Sequence, residues 1–252
     1  MRTSLAPCVL LARLLHPADS ASVVASDVGG LVAAVANSSI DHITLAPGHY
    51  LLSSQLYVER TLSIVAQVPA TAVLDGQDLN RVLRIKEATV ELTGLNITRG
   101  YSHSEQTGLS GGCVSITSGS VSIERSHIYT CRAYAVGGGI FVDFRGAPPS
   151  LLLTHSTVSG SVASTYGGGI YLGAGTAVLS GSALYHNVVD GGNAELCVAS
   201  DADCAASNLH LRHDHGLSAC VFETSVPAGS VTTESVTTDV DGEDPLQDAI
   251  AQ

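Results

Sequence analysis

The chain has 252 residues and 45% apolar content, enough for the core of one elongated domain, and with no Trp and only 3 Phe that core has to be aliphatic. Its 11 Lys and Arg stand against 23 Asp and Glu, a formal net charge of −12. That balance argues against nucleic acid and against electrostatic docking on anionic lipid, since both rest on clustered cations.

The first 21 residues read as a secretion signal. Arg2 precedes an apolar run from Leu5 to Leu15, broken by Arg13, and Ala18-Asp19-Ser20 supplies small residues for cleavage. The run is too short to span a bilayer, and no other stretch approaches that length. Next, Val28, Leu31, Val32 and Val35 fall at i, i+3, i+4 and i+7, the pattern of a short amphipathic helix that Ser26 or Asp27 could N-cap, weakened by Gly29 and Gly30. Short strands are predicted near residues 43–45, 50–52, 56–58, 62–65 and 72–74, with a turn at Ala46-Pro47-Gly48. Asn37-Ser38-Ser39 and Asn96-Ile97-Thr98 match the N-glycosylation pattern, the second on a predicted strand.

From residue 83 onward one pattern recurs. Gly111-Gly112-Cys113-Val114-Ser115-Ile116, Gly138-Gly139-Ile140-Phe141-Val142 and Gly168-Gly169-Ile170-Tyr171-Leu172 each open a short alternating strand with a double glycine. A second strand follows each, around Ile123, Leu153 or Leu179, and then a third at Ser126-His127-Ile128, Ser156-Thr157-Val158 or Ser182-Ala183-Leu184. An upstream copy lacks the glycines but keeps Leu83-Arg84-Ile85, Val90-Glu91-Leu92 and Leu95-Asn96-Ile97. The steps between Leu92, Ile123, Leu153 and Leu179 are 31, 30 and 26 residues. Repeats of that length built from short strands predict a solenoid, here a β-helix. One short strand buries too little to form a core alone, whereas stacked coils align like residues axially. Leu92, Ile123, Leu153 and Leu179 should form one inward column, and Cys113, Ile140 and Ile170 another. An N-terminal helix would cap the exposed end coil and its open strand edges.

The run Ile43-Thr44-Leu45-Ala46-Pro47-Gly48-His49-Tyr50, the later Val73-Leu74-Asp75-Gly76, the Leu95-Asn96-Ile97-Thr98-Arg99-Gly100 coil and the repeated Gly-Gly-Gly-Ile resemble right-handed parallel β-helix proteins of the pectin-lyase-like superfamily. Within it the likeness is nearest to the polymorphic-outer-membrane-protein type, and it covers about residues 25 to 200. The resemblance implies the fold more than a function, because the superfamily spans lyases, hydrolases, epimerases, adhesins and structural surface proteins. In many relatives an asparagine ends the third strand and stacks into a ladder. Here that column holds Gly100, Cys131, Ser161 and Asn187, of which only Asn187 fits. Asp244-Pro245-Leu246 resembles the entry to a further coil, so residues 226–252 are expected to be an acidic flexible or truncated tail after a β-helix domain at 22–225. Its stretch 239–244 lacks the full ligand series of a Ca²⁺ loop.

Pectate lyases of this superfamily hold Ca²⁺ on acidic residues and use a basic residue, commonly arginine, to remove the proton α to a uronate carboxylate; hydrolase cousins activate water with aspartates. The resemblance implies candidates at Asp75, Asp78, Arg84 and Lys86, with Arg81, Glu87 and Glu91 close in the chain. Arg84 and Lys86 alternate with Leu83 and Ile85 and should point outward. The following coils are expected to put Val114, Phe141 and Tyr171 at the position of Arg84, and no carboxylate triad continues the column. A solvated face with ordinary ion pairs is therefore preferred. Ca²⁺ enters only with the lyase alternative; no other cofactor or metal is expected.

Phe141 and Tyr171, on adjacent coils with Asp143 nearby, could form an aromatic strip for sugar rings, or lie under the long connections as a satellite core. His210, His213, His215 and Asp214 cluster with Cys197, Cys204 and Cys220, but the spacings C-x6-C and H-x2-H-x-H match no strong zinc pattern. A disulfide between Cys197 and Cys204 is preferred in a secreted chain. Cys113 is either plain core or the partner of Cys131. No Gly-x-Ser-x-Gly elbow, P-loop or HExxH is present.

The sequence thus predicts one all-β, right-handed parallel β-helix with an N-terminal capping helix, monomeric, secreted or at the cell surface. Its expected role is a non-catalytic binding or structural module towards polysaccharide, surface glycan or protein. The alternative is a pectate-lyase-like lyase or hydrolase acting on uronate polymers.

Overall fold

Short strands separated by corners cannot pair with themselves, so their backbone hydrogen bonds have to go to neighbouring coils. A computed structural model describes residues 21–103, 110–143, 147–190, 192–193, 196–198, 202–207 and 210–212, which wind as a parallel β-solenoid. Residues 1–20 of the expected signal, the expected tail at 226–252, and His213, Asp214, His215 and Cys220 lie outside these residues. One coil shows the plan. Leu83–Ile85 joins a six-stranded first sheet, Ala88–Thr93 an eight-stranded second, Leu95–Thr98 a seven-stranded third and Tyr101–Ser102 a five-stranded fourth, counted among the described residues. Pairing within these sheets is parallel, except that Val188–Val189 runs antiparallel to Gly192–Asn193.

The aliphatic columns follow the register. Ile43, Ile64, Leu92, Ile123, Leu153 and Leu179 are successive neighbours on the second sheet, and all are fully buried; the last four are the expected column. Leu74, Ile97, Ile128, Val158 and Leu184 do the same on the third. Each such side chain contributes about 1.5–3 kcal/mol by leaving water.

On the first sheet the expected column of Cys113, Ile140 and Ile170 is out by one residue. Val114 pairs with Ile140, which pairs with Ile170, so Cys113 stands level with Gly139 and Gly169. Two coils open with three glycines, at 137–139 and 167–169, and in the coil at 111–113 the cysteine takes the third place. The middle position admits no side chain, because a Cβ on Gly138 would lie 2.1 Å from the carbonyl oxygen of Gly168. From the third position Cys113 forms a disulfide with Cys131, their Cα atoms 5.5 Å apart and both residues fully buried. The alternative left open by the sequence is thereby settled.

Two polar ladders close the corners after the second and third strands. In the first, the Leu95 N–H donates to Ser126 Oγ at 3.0 Å, the Ser126 N–H to Ser156 Oγ at 3.1 Å and the Ser156 N–H to Ser182 Oγ at 3.2 Å. Each of these serine hydroxyls donates in turn to a carbonyl two residues back. In the second, the Cys131 N–H donates to Ser161 Oγ at 3.3 Å and the Ser161 N–H to Asn187 Oδ1 at 3.0 Å, while Asn187 Nδ2 donates to the Val158 carbonyl at 2.8 Å. Leu95, Ser126, Ser156, Ser182, Cys131, Ser161 and Asn187 are all buried, so the ladders satisfy backbone groups that water cannot reach.

Val28–Ala36 forms helix α1. Asp27 is its N-cap, accepting the Gly30 N–H at 2.7 Å, and Arg60 Nη2 donates at 3.2 Å to the last-turn carbonyls of Ala34 and Val35. Leu31 and Ala34 are buried, with Val28 and Val35 partly buried against the core. Val32, grouped with them by spacing, is 44% exposed, because it flanks the stripe that Leu31 and Ala34 centre.

Candidate functional site

Side chains that alternate with the core column of the first sheet face outward. Tyr57, Arg84, Ser115, Phe141 and Tyr171 are successive neighbours there. Ser115, rather than Val114, therefore follows Arg84, a consequence of the same one-residue shift. Phe141 and Tyr171 stack nearly parallel, 9° between planes with centroids 5.8 Å apart. Phe141 is only 3% exposed, so its ring is not an open platform, whereas Tyr171 keeps part of its surface.

Beside Tyr171 the chain leaves room with a glycine. A Cβ on Gly173 would come within 2.7 Å of both Asp143 Cγ and Tyr171 Cε1, so carboxylate and ring edge converge over that position. Burial, then the Asp143 charge, then Tyr166 raise the Tyr171 phenol above its ordinary value, so it stays a hydrogen-bond donor at neutral pH. Tyr166, 48% exposed and bridged in parallel to Val136, adds a further open ring. Asp143 and Tyr166 both lie within electrostatic reach of Tyr171, and these three side chains make up the candidate corner. Sequence reading missed Tyr166 because it precedes the glycines, outside the strand pattern.

The basic candidates lie further along the same face. The Arg84 guanidinium carbon sits 5.4 Å from the centroid of the Tyr57 ring, a cation–π contact, and its Nε is buried without a hydrogen-bond partner. The Tyr57 hydroxyl donates to Glu59 at 2.5 Å, and that bond leads burial in raising its pKa. Lys86 Nζ is 3.6 Å from Glu59 and 3.5 Å from Glu87, solvent-exposed pairs of little consequence for stability. Arg81 is buried. It donates to the Gly111 carbonyl at 2.8 Å, to Gln55 Oε1 at 3.1 Å and to the Ser110 carbonyl at 3.3 Å, and burial, with Arg84 nearby, pushes its pKa down to about 10, still cationic at neutral pH.

Asp75 belongs to the third sheet, on Ala72–Asp75, and is fully buried. Its carboxylate accepts His49 Nε2 at 2.6 Å, the Gln77 N–H at 2.7 Å and the Arg99 guanidinium through Nε and Nη2. Burial alone would raise its pKa. The bonds from Arg99, Gln77 and His49 outweigh burial and hold the carboxyl below the usual range. Asp78 lies exposed in the following turn at φ +57°, its N–H donating to the Arg99 carbonyl at 2.7 Å. Glu91 is exposed on the second sheet.

The four catalytic candidates are thus not brought together. Arg84 is on the first sheet with Lys86 just past the end of its strand, Asp75 is locked into the third, and Asp78 stands in the turn beyond it. Nearness along the chain grouped them, and the coil distributes them over different faces. Arg99 and His49, the partners of Asp75, lie 24 and 26 residues away in sequence, so local spacing could not reveal them.

Cys197 stands level with Tyr171 and Cys204 level with Ala177, on different sheets. Their side chains, and that of His210, lie outside the described residues, and so does the proposed bond between them. Among the described residues no cluster of three or more metal-capable side chains occurs, and no helix is long and apolar enough to cross a membrane. No family model, curated protein or solved structure matches the chain.

Proposed function

We propose that this chain is an extracellular, non-catalytic binding module that takes glycans at the corner formed by Tyr171, Asp143 and Tyr166. The single observation carrying this reading is the convergence of the Tyr171 ring edge and the Asp143 carboxylate over Gly173. An aromatic face suits the C–H surface of a sugar ring, and an adjacent carboxylate accepts its hydroxyls through charge-assisted bonds. Phe141 backs Tyr171 from the neighbouring coil and fixes its orientation. The buried disulfide supports an oxidising compartment. In this reading the solenoid winds right-handed, as β-crossover units do. Helix α1 serves as its cap, and the module belongs to the pectin-lyase-like class of β-helices.

The test is retention of the purified chain on insoluble polysaccharides and glycan arrays. Retention should fall about tenfold for each of Tyr171→Ala and Asp143→Asn, the effect of one lost contact worth about 1.4 kcal/mol. Retention unchanged in both variants rules the corner out.

A second reading, a lyase or hydrolase on uronate polymers, is favoured by one feature. The Arg84 Nε lacks an acceptor, and a uronate carboxylate would supply one. It requires Ca²⁺-dependent formation of an unsaturated product, abolished by Arg84→Ala.

A further inference from the structure

Two triplets in the chain fit the N-glycosylation acceptor pattern, and the fold treats them oppositely. Asn37-Ser38-Ser39 follows α1 directly, and all three residues are exposed. Asn37 closes the helix through its N–H, at 3.1 Å from the Ala33 carbonyl, and its own carbonyl accepts the Ile40 N–H at 3.1 Å, forming a tight surface turn. Its Oδ1 accepts the Ser39 N–H at 3.0 Å, which turns the amide nitrogen Nδ2 away from the backbone. The backbone there is ordinary, φ −85° and ψ 108°.

Asn96-Ile97-Thr98 is the reverse case. Asn96 is paired on both sides within the third sheet, to Val73 and to His127. Its Nδ2, the atom a glycan would need, donates to the Ala70 carbonyl at 2.7 Å. Ile97 and Thr98 are buried, so the hydroxyl that an acceptor must present is out of reach.

We infer that Asn37 is an N-glycan acceptor and that Asn96 is not. The donor is a lipid-diphosphate-linked oligosaccharide of the secretory pathway, delivered by the transferase that reads Asn-x-Ser/Thr. Asn37 Nδ2 forms a bond to the anomeric carbon and loses one proton. The bond from that carbon to the diphosphate oxygen breaks, and the lipid diphosphate departs with the electron pair. The buried bond between Cys113 and Cys131 independently fits the compartment in which this transfer occurs. The glycan stands at the end of the solenoid where α1 packs, away from the Tyr171 corner in sequence and in coil. Acceptor status does not depend on whether that corner binds sugar.

The test uses the full chain behind a secretion leader in cultured animal cells, with enzymatic deglycosylation and peptide mass spectrometry. Expected is one glycan-sized shift, removed by the enzyme, with the deamidation mark at position 37. The shift is lost in Asn37→Gln and in Ser39→Ala and kept in Asn96→Gln. A secreted wild type without the shift, or a shift that survives Asn37→Gln, overturns the assignment.

Discussion

Cys113 occupies the column of Gly139 and Gly169, and its bonded partner Cys131 occupies the column of Ser161 and Asn187. The disulfide therefore joins, in one coil, the two places that a glycine and a ladder residue hold in the next; a Cβ on Gly139 would lie 3.5 Å from Ser161 Oγ. Changing the pair to Cys113→Gly with Cys131→Ser copies the next coil and removes only the cross-link. A bridge spanning 18 residues is worth about 3 kcal/mol in the chain-entropy model. The double variant should unfold at a correspondingly lower urea concentration, matching wild type under reducing, denaturing conditions. An unchanged midpoint would show the bridge to be dispensable.

The serine ladder should be costly to interrupt. Ser156 Oγ accepts the Ser126 N–H and donates to the Thr154 carbonyl, with the residue buried. Ser156→Ala leaves that buried N–H without an acceptor, at a cost of about 1–3 kcal/mol. Ser150→Ala removes a hydroxyl bond to Ser120 on the exposed side of the second sheet and should stay within about 0.5 kcal/mol. Denaturant titration of the two variants side by side reads the difference; equal effects would mean that the ladder is incidental.

Acid should destabilise the fold through Asp75. Its folded pKa is lowered below the unfolded carboxylate value, so its contribution is fully present above that value, about pH 4. The contribution is lost as pH falls through the lower folded value. Asp75→Asn keeps the shape but gives up the charged acceptor for Arg99 and His49. The variant should lose about 1–3 kcal/mol near neutrality and show a shallower stability decline below about pH 4 than wild type. Urea midpoints across that range decide it, and parallel acid limbs would contradict the assignment.

Thr130 sits at φ +55°, in the column where Gly160 takes φ +56°. A β-branched residue is strained in the left-handed region by about 1–2 kcal/mol, whereas glycine is at home there but loses more freedom on folding, about 0.5–1 kcal/mol. Thr130→Gly should therefore raise stability slightly, and Gly160→Thr should lower it. Thermal unfolding of both checks the pair of signs.

How far the sequence carried the fold can be read residue by residue. The column of Leu92, Ile123, Leu153 and Leu179 was legible because aliphatic residues repeat there at nearly constant spacing. The first sheet was misread by one place because Cys113 is as apolar as the isoleucines it was aligned with, and only the third glycine of its neighbours reveals the shift. The serines at 126, 156 and 182 were visible as a repeat, but their role as acceptors depends on burial, which spacing does not encode. At the site, stacking of Phe141 on Tyr171 followed from register. The burial of Phe141 did not, because register places a side chain on a face without saying what covers it, and the partners of Asp75 come from other coils.

The most direct measurement incubates the purified chain with a panel of insoluble neutral and uronate polysaccharides, with and without Ca²⁺, and follows retained protein and soluble unsaturated product together. The account predicts retention that is weakened by Tyr171→Ala and Asp143→Asn, with no product in either condition. Product that requires Ca²⁺ and disappears in Arg84→Ala, or no retention on any glycan, would contradict it.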